Sequence, residues 1–570
     1  MAIAIKSQQA QAAEFEERAD QLSLEMIDTS LADGEVFRRA RTKLLSRGAK
    51  LLVGPRGTGK THIMRYAYAQ AMRQKDKPLA LYSTFNRYLN LEPLLKKSPD
   101  ARQRFHSWVL AKLLVSGFDW LDDAQMNETL LSNADPLFNR TKLAELVARL
   151  ERGTGEELYE ELGQRLTVDH VLKAVRILLS ASHRSRAVLL LDDAALSLAD
   201  EYLVAFFEIF RQLKTELIAP KASVYPGSTQ YGPTFHASHE AEEVHLWLSV
   251  EDTEYSQIMG DIATRRLLPE QIAKINPDVL ELLKYLSFGI PRTYLRLLRE
   301  LLGSRQKSTQ QQVNGIVEAQ TELIRAEYDS LRIKLKQFAS IVQAGGELFD
   351  KAVLDVAAAQ SADTSVRNIV LGLQQEQNRS PLADRLLRFL VEVGLLYPLQ
   401  PVSHGPDRKY DRYIPHLAFL WKRGAFGRTA WSTGLTICIQ APSAKHPIRR
   451  EISTLLRADG LVRMKLDLPP CQSCGTERIN ESQKYCHHCG EELVVASMFE
   501  ECMKLPLSKI PEISQAMVRR LLEDTQMRTV GDVYASQNAT GDLQRANYVG
   551  PVRAGEIIRR VERVIEEFLS

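Results

Sequence analysis

This chain has little cysteine, no long apolar run and almost no net charge, and each shortage excludes something. Only six of its 570 residues are cysteine, and four of them fall between positions 471 and 489. That distribution suits a metal site in a reducing compartment and not a disulfide scaffold. No window reaches the roughly 18 consecutive apolar residues of a membrane span. Residues 1–17 turn polar after the fifth and carry no signal-peptide core. Lys and Arg number 74 against 71 Asp and Glu, a formal charge of +3, so no global field draws the protein onto nucleic acid and any such contact must be a local patch. A cytoplasmic protein with no membrane partner is expected. The chain is also too long for one core, and roughly three to five domains are expected.

The most informative stretch is Leu51 to Thr61, LLVGPRGTGKT. Three apolar residues, a glycine-rich turn and Lys-Thr make the strand, loop and helix start of a phosphate-binding P-loop, with Gly54, Gly59, Lys60 and Thr61 at the signature positions. Gly54, Gly57 and Gly59 let backbone N–H groups turn inward around phosphate oxygens. Lys60 is positioned to reach the β- and γ-phosphates of ATP, and the Thr61 hydroxyl to ligate Mg²⁺. Pro55, Arg56, Thr58 and His62 complete the nucleotide-contacting stretch. The helix from Thr61 to about Arg73 points its positive end at the anion.

A second signature follows about 130 residues later. Val188-Leu-Leu-Leu-Asp-Asp193 is four apolar residues ending in two carboxylates, the form of a buried parallel strand carrying a Walker B pair. Asp192 is the candidate for holding Mg²⁺ through water, and Asp193 for polarising the attacking water. Between the two motifs, Pro78 to Tyr82 reads as a second strand. Residues 102–182 read as a helical insertion of about eighty residues, with apolar spacing such as Leu110, Leu113, Leu114 and Phe118. Helix Asp200 to Leu217 comes next, then a strand through Ala222 to Tyr225 and another from Val244 to Val250. Alternating strands and helices predict a parallel α/β sheet with its ligand at the strands' carboxyl ends.

This order resembles the AAA+ superfamily, in particular the initiator-like clade that includes origin-recognition ATPases. The resemblance implies a polar sensor 1 residue after the fourth strand, where Ser228 and Thr229 both stand. It also implies a helical lid with a sensor 2 arginine, and Gly289-Ile-Pro-Arg292 lies ahead of a helix from Thr293 to Leu302. Two departures matter. Related ATPases usually carry Glu where this chain has Asp193. The segment Ser228 to Glu243, where the family's arginine finger usually sits, contains no Arg or Lys. Either the finger comes from elsewhere, such as Arg265 or Arg266, or hydrolysis proceeds without one. Slow hydrolysis is therefore expected.

In the tail, an amphipathic helix from Pro381 to Leu395 precedes a hairpin, Leu395 to Leu399 and Tyr410 to Pro415, with a basic turn at Ser403 to Lys409. This is the outline of a winged helix, which initiator-like ATPases carry after the lid; Arg408, Lys409 and Arg412 are candidate phosphate contacts. Cys471-x-x-Cys474 and Cys486-x-x-Cys489, each followed by a glycine, are two knuckles that hold a tetrahedral Zn²⁺ with no open position, a structural zinc ribbon. From Leu505 onward the chain resembles a helix-hairpin-helix domain. Tyr548-Val-Gly550-Pro matches its hairpin, although Tyr548 stands where the family has its first glycine. Nine acidic and nine basic residues balance over this segment, so DNA contact there needs a local patch such as Arg545 and Arg553.

The expected architecture is an α/β P-loop AAA+ core with a helical lid, then winged helix, zinc ribbon and all-α helix-hairpin-helix tail. Its boundaries are a helical segment at 1–47, the core at 48–255, lid and bridge at 256–335, winged helix at 336–430, a linker at 431–470, zinc ribbon at 471–495 and the tail at 500–570. The expected function is an ATP-binding, slowly hydrolysing switch that self-associates through its ATPase core and assembles on duplex DNA. The alternative is an oligomerising signalling scaffold, of the kind used in bacterial defence or transposition regulation, whose zinc ribbon or C-terminal domain recruits a protein effector.

Overall fold

The computed structural model describes residues 19, 22–85, 91, 100–153, 156–194, 200–229, 231, 235–304, 308–363, 365–375, 379–405, 408–427, 432–443, 448–456, 460, 464–465, 467–468, 470–471, 473–478, 483, 485–491, 493, 502–510, 513–536 and 538–569. Five short, apolar strands form the first sheet: β1 Lys50–Val53, β2 Leu79–Thr84, β3 Ala187–Asp192, β4 Ile218–Val224 and β5 Glu242–His245. Their spatial order is β2-β3-β4-β1-β5, and every pairing is parallel. Strands β1, β3 and β4 are buried along their whole length, as strands covered on both faces must be. β1 sits between β4 and β5, so the loop that leaves its carboxyl end opens beside the end of β4.

The insertion between β2 and β3 is helical, led by Ala101–Asp123 and closed by Val168–Ser182. Its aromatic packing runs into the main core: Phe85, at the end of β2, meets Trp108 and Phe206 edge-on at 5.6 Å. Two sequence boundaries shift. The fourth strand begins at Ile218, earlier than its most apolar residues. The fifth is Glu242–His245 and not Val244–Val250, because after Leu246 donates to the Val53 carbonyl the chain leaves the sheet. Trp247 and Leu248 then pack under the lid.

The lid consists of Tyr255–Thr264, Pro269–Ile272, Pro277–Leu286 and Pro291–Gly303. Gly289 makes its turn possible: its φ is +75°, and a Cβ there would collide with the Leu248 carbonyl. Beyond it, long helices Thr309–Lys334 and Ala339–Ala362 pack together with Pro381–Glu392. They cover a second sheet of β6 Leu371–Gln374, β7 Leu396–Ser403, β8 Lys409–Pro415 and β9 Ile448–Arg450, ordered β7-β8-β6-β9. β7 and β8 form the expected antiparallel hairpin, with a bulge between Leu399 and Val402.

The segment 431–470, expected as a linker, instead contributes structure. β9 pairs parallel with β6, and helix Thr433–Gln440 buries Leu435 and Cys438. The polar sequence Ile-Arg-Arg hides the strand, which is held by its ladder bonds, by buried Ile448 and by the Arg450–Asp355 pair at 2.8 Å. In the tail, helices Gln515–Asp524, Val530–Ala535, Ala539–Leu543 and Pro551–Leu569 pack around Leu521, Val530, Leu543 and Ile557. Among the described residues no helix is long and apolar enough to cross a membrane.

Candidate functional site

The P-loop leaves β1 and re-enters a helix at Lys60–Arg73. Gly57 and Gly59 adopt φ of +85° and +95°, values open to glycine at no steric cost. Gly54 is fixed by space: a Cβ would lie 2.6 Å from the Leu246 carbonyl oxygen. Thr58 is buried and its hydroxyl donates to the Pro55 carbonyl at 2.9 Å, closing the loop on itself.

Lys60 is 6% exposed. Its ammonium donates to the Gly54 and Pro55 carbonyls at 2.6 and 3.0 Å and lies 4.1 Å from the centroid of the Tyr225 ring. Burial pulls its pKa down to about 7, while Asp193 and Asp192 oppose the shift and Arg56 and Arg292 add to it. A cation held at such cost beside a glycine cradle fits an anionic ligand whose charge would replace what burial removes.

Asp192 ends β3 and is 1% exposed. Its carboxylate accepts from the Tyr82 hydroxyl at 2.9 Å, from the Ser223 hydroxyl at 3.0 Å and from the Asp193 amide at 3.0 Å. The Tyr82 phenol is pushed well above its ordinary range, by burial first and then by Asp192 and Asp193, so it stays a donor. Asp193 turns the chain in the left-handed region at φ +51°, an uncommon conformation for a side-chain-bearing residue.

The structure brings Arg292 to the loop from the lid. Its amide lies 3.3 Å from the Gly57 carbonyl, and a Cβ on Gly57 would stand 3.0 Å from the Cβ of Arg292. Ser228 and Thr229 diverge. The Thr229 hydroxyl accepts from the Tyr225 amide at 2.9 Å and so closes its own turn, whereas the Ser228 hydroxyl and amide face the carboxylate of Glu392.

His62 points away from the loop, its Nε2 3.2 Å from the Ser30 hydroxyl and 3.1 Å from the Ile27 carbonyl. Burial and the nearby Arg266 lower its pKa to about 4, so it is neutral and tethers helix Leu24–Ser30. Arg266 is itself buried, and Arg265 donates to the Thr29 carbonyl. Arg265 therefore contacts this chain's own N-terminal helix, and Arg266 is buried near His62.

The site also contains Tyr82, Ser223, Tyr225 and Glu392, which the sequence reading does not single out. Alternation along β2 and β4 was the available signal for Tyr82 and Ser223, whereas Glu392 comes from a distant helix that no local pattern connects to the site.

The four cysteine sulfurs form a separate centre. They lie within 4.8 Å of one another, with Cys471–Cys489 at 3.4 Å and Cys474–Cys486 at 3.6 Å. Four thiolates around one Zn²⁺ stand about 3.8 Å apart, so the donor set and spacing fit that ion. The two knuckles repeat each other: Gly475 and Gly490 have φ of +73° and +75°, and their amides donate to the Cys471 and Cys486 carbonyls at 2.9 Å.

The fold and the site define the class: a five-stranded parallel α/β module with a P-loop at the carboxyl end of β1 and a group of helices, Tyr255–Thr264 to Pro291–Gly303, brought against it. Residues 15–114, which span the P-loop, match the family model described as ORC-CDC6-like. Among solved structures, the Aeropyrum pernix ORC1 protein in complex with DNA aligns at 15% identity over 68% of this chain and 91% of its own, with a TM-score of 0.27. The Aeropyrum pernix ORC2 protein, solved as ADPNP–ADP complexes, aligns at 14% identity over 71% and 92%, with a TM-score of 0.30. Neither superposition is close enough for a residue's role to be taken from it. No curated protein matches this chain.

Proposed function

We propose that this protein is an ATP-binding, slowly hydrolysing switch that self-associates through its ATPase core and assembles on duplex DNA under nucleotide control. The observation that carries the ATP reading is the convergence of Lys60, Asp192 and Arg292 around a loop whose positive-φ glycines leave amides free to face phosphate. The Gly57 and Gly59 amides and Lys60 would hold the phosphates, with Thr61 and Asp192 holding Mg²⁺ directly and through water. When bound, that ion neutralises charge developing between the β- and γ-phosphates.

Asp193 is the candidate base and Arg292 the donor to the terminal phosphate. Ser228 is the candidate for orienting the attacking water, since the Thr229 hydroxyl closes its own turn. Two features favour slow turnover. Asp193 is one methylene shorter than the Glu usual there, and Arg265 and Arg266 are engaged inside this chain, leaving no assigned finger. Arg292→Ala should lower kcat about 100-fold while changing ADP affinity by less than about threefold. Steady-state phosphate release and titration with fluorescent ADP check this. Equal loss of ATP and ADP affinity would make Arg292 a general binding residue instead.

The β7–β8 hairpin tip, with Arg408 and Lys409, and the C-terminal Arg545 and Arg553 are the candidate DNA contacts. One observation favours the rival reading of a scaffold that recruits a protein: Tyr548 and Val552, at the C-terminal hairpin, are 76% and 75% exposed within a charge-balanced segment. Salt-dependent duplex binding separates the two, since phosphate contacts release counterions.

A further inference from the structure

Glu392 is the last residue of helix Pro381–Glu392, in the domain that carries the β7–β8 hairpin. Its carboxylate nevertheless reaches the ATPase core. It accepts from the Gly227 amide at 2.7 Å and the Ser228 amide at 2.5 Å, and it feels the charge of Lys60. A carboxylate at a helix C-terminus opposes the helix dipole, and burial raises its pKa. These two amides, the Ser228 hydroxyl and the P-loop ammonium offset part of both costs, and burial remains the larger influence. The contact is tight: a Cβ on Gly227 would fall 2.7 Å from the Glu392 carboxylate and 2.9 Å from the Arg388 carbonyl.

The same junction is packed with rings from the core, the lid and the hairpin domain. Trp247, just after β5, meets Tyr397 of β7 at 4.7 Å and Phe288 of the lid at 5.8 Å, and Phe288 meets His416 at 4.7 Å. Arg367 pairs with Glu251 at 3.2 Å across the same boundary. Gly394, with φ +82°, places the backbone against Ile290, two residues from Arg292. Movement of helix Pro381–Glu392 is therefore mechanically tied to the sensor loop, the lid turn and the hairpin.

We propose that Glu392 is a charge latch that reads the terminal phosphate of ATP. It presents a negative group to the amides, hydroxyl and ammonium that a γ-phosphate would also draw on. A triphosphate places like charge opposite Glu392, whereas a diphosphate ends one phosphate short. ATP thus loosens the hairpin domain from the core, and ADP leaves it docked. This rests on the P-loop binding ATP, and it gives the nucleotide a route to the DNA-facing hairpin that needs no second subunit. Glu392 acts through Ser228 and Lys60 and is a positioning residue.

The test uses the full chain and its Glu392→Gln and Gly227→Ala variants. Fluorescent ATP and ADP titrations give affinities, and hydrogen exchange over 381–403 in ADP or ATPγS reports docking. Glu392→Gln, which keeps the shape and removes the charge, should raise the ATP-to-ADP affinity ratio about 10-fold and abolish the nucleotide dependence of exchange. Gly227→Ala, which keeps the Glu392 charge but pushes its carboxylate off the turn, should raise exchange in both nucleotides. An unchanged affinity ratio in Glu392→Gln, with exchange still nucleotide-dependent, would overturn the latch alone. Failure of the wild-type chain to bind either nucleotide would overturn the ATP reading and the latch together.

Discussion

Replacing Lys60 with alanine should weaken ATP binding at least about 100-fold and bring hydrolysis to background without unfolding the protein. The ammonium is buried against two carbonyls and the Tyr225 ring, and it feels the carboxylates of Asp192, Asp193 and Glu392 and the guanidiniums of Arg56 and Arg292. Its folded pKa of about 7 lies below the ordinary 10.5, so without nucleotide the unfolded chain binds the proton more tightly. Between those two pH values the unfolded state holds more protons, and stability from this residue rises with pH. Alanine removes both the penalty and the slope. The variant's melting temperature at neutral pH should therefore equal or exceed that of the wild type, while fluorescent-ATP titration shows the loss. A variant that melts much lower would make Lys60 a structural cation and remove the main support for an ATP site.

Metal chelation should unfold the segment around the four cysteines while the P-loop core stays intact. Among the described residues the ribbon's own buried cluster is Cys471, Cys486 and Leu493, so two of its three members are metal ligands and little apolar surface remains to hold the fold. Structural zinc in such knuckles supplies roughly 10–16 kcal/mol of apparent binding free energy, far more than one leucine. Cys471→Ser, or chelation of the wild type, should reduce bound zinc from about one ion per chain to near none and make residues 471–491 protease-sensitive. Nucleotide binding should be unchanged, because the P-loop core shares no residue with the ribbon cluster. Retained protease resistance after complete zinc loss would contradict a metal-dependent ribbon.

What could be read in the sequence was local. The P-loop spacing, the apolar strand ending at Asp192, the Gly-Ile-Pro-Arg292 turn and the paired cysteine knuckles each fall within 19 residues or fewer, the span from Cys471 to Cys489. What was hidden depends on chain segments far apart. Tyr82 serves Asp192 only because β2 pairs with β3 in the register Thr84↔Asp192. Ser223 does so only because β4 lies on the other side of β3. Glu392 is 164 residues from Ser228, and its helix carries the ordinary amphipathic pattern of a core-packing element. β9 was missed because a three-residue strand with two arginines has no apolar alternation to detect. His62 sits inside the phosphate-binding motif by sequence, yet the helix turns it onto Ile27 and Ser30, since successive helical residues point about 100° apart.

The central claim is that nucleotide state controls DNA engagement, and fluorescence anisotropy on a labelled duplex at two salt concentrations tests it most directly. The full chain would be compared with ATP, ADP and no nucleotide, with Lys60→Ala and a chain ending before Cys471 as controls. The account predicts binding that is strongest with ATP, falls as salt rises, and is lost in both controls. Absence of duplex binding in every nucleotide state would contradict it and leave the protein-recruiting scaffold.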